Sequence, residues 1–240
     1  MTDPMMVDFH THILPGVDDG SSSVECSCQM LRMLGEQGVT HVVATPHFYP
    51  SFDHPDRFLQ RRQVALELLQ KAMEPGFPEI LVGAEVYFFE GISECDVLQE
   101  LVICGTDHIM VEMPGTLWTE RMLRELAELK NRHGLTPIIA HVDRYMGPIC
   151  SHGIPQMLEN LPVKVQLNTG AVLSRTKRRM ALGLLREGRV HVLGTDCHNL
   201  VTRKPDMEQA LRVVTRHLGS DTVEQLRQNG QKILQAKGKS

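Results

Sequence analysis

The chain has 240 residues, 42% of them hydrophobic, which is enough to build the core of a single domain of ordinary size. Its formal net charge of −4 gives no reason to expect a basic face that binds nucleic acid. We expect a cytoplasmic protein without membrane insertion, because the sequence has neither a secretory signal nor an apolar run near the ~18 residues that span a bilayer.

Short apolar runs alternate with amphipathic stretches along the chain. Strands are predicted at residues 5–10, 41–45, 80–85, 108–112, 136–141, 164–168 and 190–195. Helices are predicted at about residues 22–38, 55–74, 119–133, 174–187, 206–217 and 221–236, with shorter ones at 94–102 and 152–160. Ser22 and Glu25 have capping-box spacing at the start of the first helix, and Gly134 is expected to end the helix at 119–133.

Regular alternation of strands and helices is typical of a parallel sheet with right-handed crossovers. The predicted strands are short and almost entirely apolar, as expected when helices cover a parallel sheet. No linker or internal repeat divides the chain. We therefore predict one domain with an α/β fold, and a barrel of seven strands rather than eight.

Polar residues are concentrated where the predicted strands end. In chain order they are His10 and His12, His47, Glu85, Glu112, His141 with Arg144, Asn168, and Asp196 with His198. The carboxyl ends of all strands in a parallel barrel open onto one face, which is where active sites lie. A single histidine or glutamate after a strand is usually a surface or capping residue. The same pattern at all seven strands instead indicates a site for more than one metal ion.

Imidazole and carboxylate ligands without thiolates suit zinc, manganese or iron. Two or more such ions can clamp an oxyanion and activate water to hydrolyse a phosphoester or an amide. Arg144 and Arg203 are positioned in the sequence to flank the site, and a guanidinium matches phosphate oxygens. Together they favour phosphoester hydrolysis, although either arginine alone is equally compatible with a solvated surface charge.

Seven segments carry these residues: DFHTHILPGVDDG, ATPHFYP, GAEVYF, VEMP, AHVDRY, QLNTGAVL and TDCHN. In this order, over about residues 7–203, they resemble the polymerase and histidinol phosphatase (PHP) superfamily. More narrowly, they resemble its bacterial manganese-dependent protein tyrosine phosphatases of capsular and exopolysaccharide synthesis. The resemblance implies a single phosphatase domain over residues 1–240, folded as a distorted seven-stranded (β/α)7 TIM-like barrel. It also implies up to three metal ions, Mn²⁺ before Fe or Zn.

The resemblance assigns roles to particular positions. Those that match the metal ligands are His10, His12, Asp19, His47, Glu85, Glu112, His141, Asp196 and His198. Glu85 matches a carboxylate that bridges two ions, and Asp18 is expected to support the site from beside Asp19. Arg144 and Arg203 match the phosphate-binding, catalytic arginines. The implied reaction is hydrolysis of phosphotyrosine by a metal-activated hydroxide, and the implied partner is the tyrosine-rich tail of a bacterial polysaccharide-export kinase.

Three positions depart from the family pattern. Phe48 stands where a second histidine is common, Val142 replaces a proline, and Cys197 replaces an alanine. None of these changes removes a ligand. Phe48 is expected to alter the wall of the pocket, and Val142 to alter how Arg144 is presented. The surrounding loop at 48–58 carries aromatic residues that either line a substrate pocket or pack on the barrel.

Other interpretations remain open. A related reaction, such as hydrolysis of histidinol phosphate, needs the same metals and arginines, and a non-catalytic barrel would bind phosphoprotein or nucleotide without turning it over. Cysteine phosphatases use a C-x5-R motif, which occurs here at Cys26–Arg32 and Cys197–Arg203. The first match falls in a predicted helix and neither contains the glycines usual in a phosphate-cradling loop, so we expect free, non-catalytic thiols. No oligomeric state is predicted.

Overall fold

The computed structural model of the chain describes residues 5–146 and 154–236. Within these residues every pair of neighbouring strands is parallel. The strands are β1 Val7–Thr11, β2 His41–Ala44, β3 His47–Phe48, β4 Glu79–Val82, β5 Glu85–Tyr87, β6 His108–Glu112, β7 Thr136–Ile139, β8 Lys164–Asn168 and β9 Val192–Gly194. The α-helices are α1 Val24–Glu36, α2 Pro55–Gln70, α3 Glu120–His133, α4 Ile154–Glu159, α5 Thr169–Leu173, α6 Arg178–Arg186, α7 Met207–Leu218 and α8 Ser220–Gln235.

At two places a predicted strand is followed, after a short break, by a second strand. The strand predicted at 41–45 is β2, and β3 follows it outside the predicted range; the strand predicted at 80–85 is β4, and its last residue, Glu85, begins β5. β2 and β4 form a three-stranded sheet with β1, in the order β1-β2-β4. β3 and β5 belong to a six-stranded sheet with the order β3-β5-β6-β7-β8-β9. Pro46 lies at the first break and has no N–H to donate to a strand ladder. Beyond the breaks, His47 pairs directly with Glu85, so their side chains face the same side of the sheet.

The outer strands β1 and β9 also meet, so the parallel strands form a strongly curled arrangement. Thr11 bridges Cys197, and the backbone N–H of Asp196 donates to the carbonyl of His10 at 2.7 Å. The buried carboxylate of Asp8 accepts hydrogen bonds from the backbone N–H (2.9 Å) and the hydroxyl (2.6 Å) of Thr195. These contacts bring the carboxyl ends of the first and last strands together.

Helix ends differ from the predictions in some places. The side chain of Ser23, not Ser22, accepts the capping hydrogen bond, from the N–H of Cys26 at 3.2 Å, so the predicted capping box was wrong by one residue. Gly134 ends α3 in the left-handed conformation, with φ of 72°, as predicted. The helix predicted at 174–187 begins only at Arg178 and is preceded by α5, which was not predicted.

Two shorter predictions have mixed outcomes. The helix predicted at 94–102 is replaced by the 3-10 turns Ile92–Glu94 and Asp96–Glu100, separated by an extended Cys95. The helix predicted at 152–160 lies partly outside the described residues, and its described part contains α4.

The core has two parts, and both are built from the apolar strand residues. A smaller cluster includes Phe9, Val43, Met110, Ile138 and Val192, while the larger one lies between the strands and the helices. Burial on both faces explains why the strand sequences are nearly continuous apolar runs. In the described part of the chain, no helix has both the length and the apolar composition needed to cross a bilayer.

Gly194 ends β9 where only a residue without a side chain fits. A Cβ there would lie 2.5 Å from the Cβ of His10 and 2.8 Å from Nε2 of Gln166. We expect Gly194→Ala to lower the free energy of unfolding by about 1–3 kcal/mol, measured by urea denaturation, because both neighbours must move. The matched control is Gly183→Ala in α6, where the added Cβ meets nothing within 4 Å. It should stabilise the protein by about 0.5–1 kcal/mol. Equal effects of the two changes would contradict this account of β9.

Candidate metal centre and phosphate-binding site

All nine residues that the sequence predicts as metal ligands meet at the carboxyl ends of the strands. Each has an imidazole nitrogen or carboxylate oxygen within 3.6 Å of such an atom on another member of the set. Glu85 is central, because its carboxylate is 2.8 Å from Nε2 of His141 and 2.9 Å from Nδ1 of His47. It is 1% exposed, so these interactions are shielded from water.

Three overlapping groups in the described residues have ligand atoms close enough to hold a metal ion, all within 4.8 Å of one another. The groups are His12, Asp19, His47 and His198; His10, His12 and Glu85; and His47, Glu85 and Glu112. Glu85 belongs to two groups, which is what a carboxylate between two ions requires. His141 and Asp196 belong to none of the three but contact their members, at Glu85 and His10.

Neighbouring side chains fix the orientation of several imidazoles. Nδ1–H of His12 donates to Asp18 at 2.7 Å, so its Nε2 is directed at the other ligands. Asp18 also accepts the backbone N–H of His47 at 3.0 Å, and thereby holds two ligand segments together. Histidine ligands commonly donate their second ring nitrogen in this way, which sets the tautomer and strengthens metal binding. This arrangement agrees with the supporting role expected of Asp18.

Gln166 is a site residue that the sequence reasoning missed. Its side-chain oxygen accepts the backbone N–H of His141 at 2.6 Å and lies 3.3 Å from Nδ1 of His10. Its amide nitrogen donates to Asn168 at 3.0 Å. The available signal was a glutamine between Val165 and Leu167 in the middle of a predicted strand, two residues before Asn168 and therefore on the same face. The structure buries this glutamine fully.

The electrostatics of the site follow from the burial of opposite charges. Burial alone would lower the pKa of His141, but hydrogen bonds to Glu112 and Glu85 raise it to about 9. Burial would raise the pKa of Asp196, yet the nearby imidazoles of His10 and His12 lower it well below its usual range. Carboxylates are thus held ionised beside imidazoles that attract protons. Cations at this position would replace those protons, so metal binding should release them.

Two further observations fit a bound cation. Among the described residues, three buried atoms of the predicted ligands, Nδ1 of His47, Oδ1 of Asp196 and Nε2 of His198, form no hydrogen bond and have only ion-pair contacts, including those to Glu85, Arg203 and Asp19 respectively. Buried polar atoms are normally satisfied, and these are nitrogen and oxygen atoms of the type that binds Zn, Mn or Fe. The non-glycine residues with positive φ in this part of the chain are His141 (31°) and Asp196 (53°). Such backbone strain is concentrated at functional sites.

Both predicted arginines reach the site. Arg144 donates to Oδ2 of Asp196 at 2.6 Å, and Asn168 donates to the same oxygen at 3.0 Å. A guanidinium nitrogen of Arg203 forms an ion pair with the other oxygen, Oδ1, also at 2.6 Å. The two guanidinium groups are more than a third exposed, so they face both the buried ligands and solvent. A cleft of about 430 Å³ opens beside them and is also lined by Lys204. The position suits a phosphate group between the ligands and the arginines.

An aromatic cleft lies on the other side of the ligands. Tyr49 stacks on His47 with 5.1 Å between ring centroids, and it lines a cleft of about 410 Å³ with Asp19 and Phe52. Phe52 is 92% exposed. The expectation that Phe48 alters the pocket wall was wrong, because Phe48 is 1% exposed and packs on Phe58 in the core. The backbone of β3 alternates, which turns His47 and Tyr49 towards the cleft and Phe48 away from it.

The two C-x5-R matches have no nucleophilic thiol. Cys26 lies in α1, with its sulfur 4.0 Å from that of Met30. Cys197 is 0% exposed, and burial raises the pKa of its thiol well above the usual value. A cysteine phosphatase needs an accessible thiolate, so this geometry argues against that mechanism.

We expect Asp18→Asn to weaken metal binding by about 10–100-fold while leaving the fold intact. The side-chain oxygen of the asparagine can still accept one hydrogen bond, from the imidazole of His12 or the backbone N–H of His47, but it carries no negative charge. The imidazole of His12 therefore loses its strongest partner. Competition with a chelating dye measures the change. Asp53→Asn is the control, because Asp53, in the loop before α2, pairs with Arg61 of α2 and not with a predicted ligand. Unchanged affinity in Asp18→Asn would contradict the supporting role.

Residues 6–235 match the family model described as capsular polysaccharide synthesis, CpsB/CapC. The chain belongs to this family. Among CpsB/CapC relatives, it is 26% identical over 240 residues to the tyrosine-protein phosphatase YwqE of Bacillus subtilis, covering 95% of this chain and 91% of that protein. It is 28% identical over 246 residues to the tyrosine-protein phosphatase CpsB of Streptococcus agalactiae, covering 95% and 98%.

A solved structure supports the fold of this CpsB/CapC chain. It comes from work on YwqE of Bacillus subtilis and CpsB of Streptococcus pneumoniae, described as unique metal-dependent tyrosine phosphatases. The match has a TM-score of 0.82 at 23% identity and covers 97% of this chain and 95% of the other. Nearly the whole chain therefore shares one architecture with that phosphatase.

Proposed function

We propose that this chain is a metal-dependent protein tyrosine phosphatase that acts in capsular or exopolysaccharide synthesis. The observation that carries the proposal is the convergence of five imidazoles and four carboxylates with two arginines at one end of a parallel α/β fold. The names of the relatives agree with this chemistry. The whole chain, residues 1–240, is proposed to be one PHP-type domain whose broken strands together form a distorted seven-stranded TIM-like barrel.

The proposed metal ligands are His10, His12, Asp19, His47, Glu85, Glu112, His141, Asp196 and His198. We propose up to three ions, with Mn²⁺ preferred over Fe or Zn. When bound, such ions supply Lewis acidity that activates water and offsets the charge of the phosphate. Glu85 would be a ligand of more than one ion, because its two carboxylate oxygens face different imidazoles, Oε1 that of His141 and Oε2 those of His10 and His47.

The chain's own residues would position the substrate. Arg144 and Arg203 would bind the non-bridging phosphate oxygens and stabilise the charge that develops on them in the transition state. Asp196 contacts both arginines and so keeps their two guanidinium groups directed at the same point. The phenol of tyrosine has a pKa near ~10 and is a moderately good leaving group, so no strong dedicated acid is required.

The aromatic cleft supports a tyrosine substrate rather than a small aliphatic one. Tyr49 lies over His47 and is 5.7 Å from Tyr87 between ring centroids, so an entering phenyl ring would meet aromatic faces. The partner we propose is a phosphotyrosine protein, specifically the tyrosine-rich tail of a bacterial polysaccharide-export kinase in the cytoplasm.

The test compares three substrates: p-nitrophenyl phosphate, a phosphotyrosine peptide and histidinol phosphate. Each is assayed as purified, after chelation, and after addition of Mn²⁺, Zn²⁺ or Fe²⁺. We expect hydrolysis of the two aryl phosphates to disappear on chelation and to return most strongly with Mn²⁺.

Other results would point elsewhere. A strong preference for histidinol phosphate would move the chain to small-molecule metabolism with the same metals. Activity that survives chelation but is lost on thiol alkylation would overturn the metal mechanism. Tight phosphopeptide binding without turnover at any metal would indicate a binding module.

A further inference from the structure

A second cavity lies at the opposite end of the strands from the metal ligands. It measures about 550 Å³ and includes His108 at the start of β6, Lys164 at the start of β8, and His191 just before β9. A smaller cavity of about 160 Å³ shares these three residues and extends towards Lys232 of α8. Because β6 rises ~3.3 Å per residue, His108 lies roughly 13 Å from Glu112 at the catalytic end. We call the joined space the basal cavity.

The walls of the basal cavity combine an apolar surface with basic groups. Apolar side chains come from α4, α6 and the residues leading into β8, including Leu158, Leu161, Val163 and Leu184. The volume lies within the range of small-molecule sites, which are mainly apolar with a few polar groups. This composition suits a ligand with an apolar body and a charged head group.

One cation beside the cavity has no carboxylate partner among the described residues. Within the described residues, the side chain of Lys164 has no ion pair. Arg189 is held between two carboxylates, Glu159 at 3.0 Å and Glu187 at 2.7 Å, both of which are more than half exposed to solvent. On the other side, Asp107 is paired with Lys130 at 2.8 Å. A positive charge beside an enclosed, partly apolar space attracts an anion.

The two histidines face that charge. His108 is 5% exposed, and its Nδ1 lies 2.9 Å from Asp107 without forming a hydrogen bond. His191 accepts the backbone N–H of Val165 with Nδ1 at 3.1 Å, so its Nε2 carries the proton and can donate. Burial, together with the charge of Lys164, lowers the pKa of both imidazoles to about 4. The charge of Lys130 also lowers the pKa of His108, whereas the carboxylate of Asp107 raises it.

We propose that the basal cavity binds a small organic anion with an apolar body, such as a medium-chain carboxylate or an alkyl phosphate. Its head group would lie among Lys164, His191 and His108, and its apolar part along Leu158, Leu161 and Leu184. The anion would favour protonated imidazoles, so binding takes up protons and tightens as the pH falls. The site is separate from the metal centre and does not depend on the proposed phosphatase activity.

The sign of the pH effect follows from linkage. In the free protein both imidazoles are neutral above a pH of about 4. An anion raises their pKa, so the complex binds more protons than the free protein between the free and bound values. Lowering the pH from 8 to 6 should therefore strengthen binding.

The experiment uses 8-anilinonaphthalene-1-sulfonate as a fluorescent probe on the full, metal-loaded chain, displaced by octanoate or octyl phosphate. Octanol tests whether the apolar part alone suffices, and the two anions distinguish the head groups. Lys164→Met keeps the length of the side chain but removes its charge. The control is Lys71→Met, at an exposed lysine that ends α2. Calorimetry of octanoate binding to the unmodified chain, in two buffers of different ionisation enthalpy, measures proton uptake.

We expect Lys164→Met to weaken octanoate binding about tenfold or more. Lys71→Met should leave octanoate binding unchanged, and both variants should keep full phosphatase activity. Proton uptake and tighter binding at pH 6 should accompany this loss. Equal affinities for the two variants, or no proton uptake, would overturn the proposal. Equal binding of octanol and octanoate would also overturn it, and displacement of octanoate by a phosphotyrosine peptide would assign the anion to the catalytic cleft instead.

Discussion

Replacing Glu85 with glutamine should reduce kcat/KM for a phosphotyrosine peptide by about a thousandfold. The change keeps the shape of the side chain but removes a buried negative charge that lies within 3.5 Å of four imidazoles: His10, His12, His47 and His141. A neutral amide cannot hold two cations, so the number of bound metal ions should fall together with activity. Steady-state kinetics and elemental analysis of the same samples check both effects.

Glu36→Gln is the matched control for Glu85→Gln. Glu36 ends α1 on the exposed surface, away from all the predicted ligands, and its replacement should leave kcat/KM and metal content unchanged. Thermal denaturation of the metal-free proteins shows whether either change perturbs the fold. If Glu85→Gln keeps its full metal content and activity, Glu85 does not bridge ions and the proposed centre is wrong.

Removing either arginine should produce the second large effect. Arg144→Met and Arg203→Met are each expected to lower kcat/KM by about a hundredfold, because each removes a group that stabilises charge on the phosphate oxygens. Arg144→Lys and Arg203→Lys should recover part of the loss, since an ammonium keeps the charge but not the two-pronged geometry. Kinetics with p-nitrophenyl phosphate and with a phosphotyrosine peptide separate phosphate binding from peptide recognition.

The arginine variants need a metal measurement as well. Both guanidinium groups contact Asp196, so their removal could act through that proposed ligand. Unchanged metal content with lowered activity would assign the loss to the phosphate. Arg186→Met, at an exposed position of α6, serves as the control and should retain full activity. Full activity in both Arg144→Met and Arg203→Met would show that the arginines do not bind phosphate.

Much of the architecture was predictable because one physical constraint acts on the whole chain. Strands in a parallel sheet are covered by helices, so their bodies must be apolar and their polar residues are confined to the ends. The ranges 108–112 and 164–168 were predicted to the residue, and each is a run bounded by polar residues. The same constraint places His10, Glu112 and Asp196 at strand ends and therefore at one face.

The local irregularities were not predictable from these patterns. The strands predicted at 41–45 and 80–85 are each followed by a second short strand with other neighbours, and pairing partners depend on residues far away in the chain. The 3-10 turns near Cys95 likewise result from packing, since a short apolar stretch has too few hydrogen bonds to decide its own conformation. Phe48 was expected to alter the pocket wall because it stands where a second histidine is common in the family, whereas strand alternation turns it inward.

The sequence by itself determined the residue types of the site, their order, and the face on which they lie, because strand polarity carries that information. Tertiary structure decided which of them touch. Glu85 meets four imidazoles only because β3 and β5 are offset from β2 and β4, and Asp196 meets both arginines only because β9 closes on β1. Gln166 joins His10 to His141 across strands, and Lys164, His108 and His191 meet at the other end. Such contacts join residues far apart in the chain, and local propensity holds no information about them.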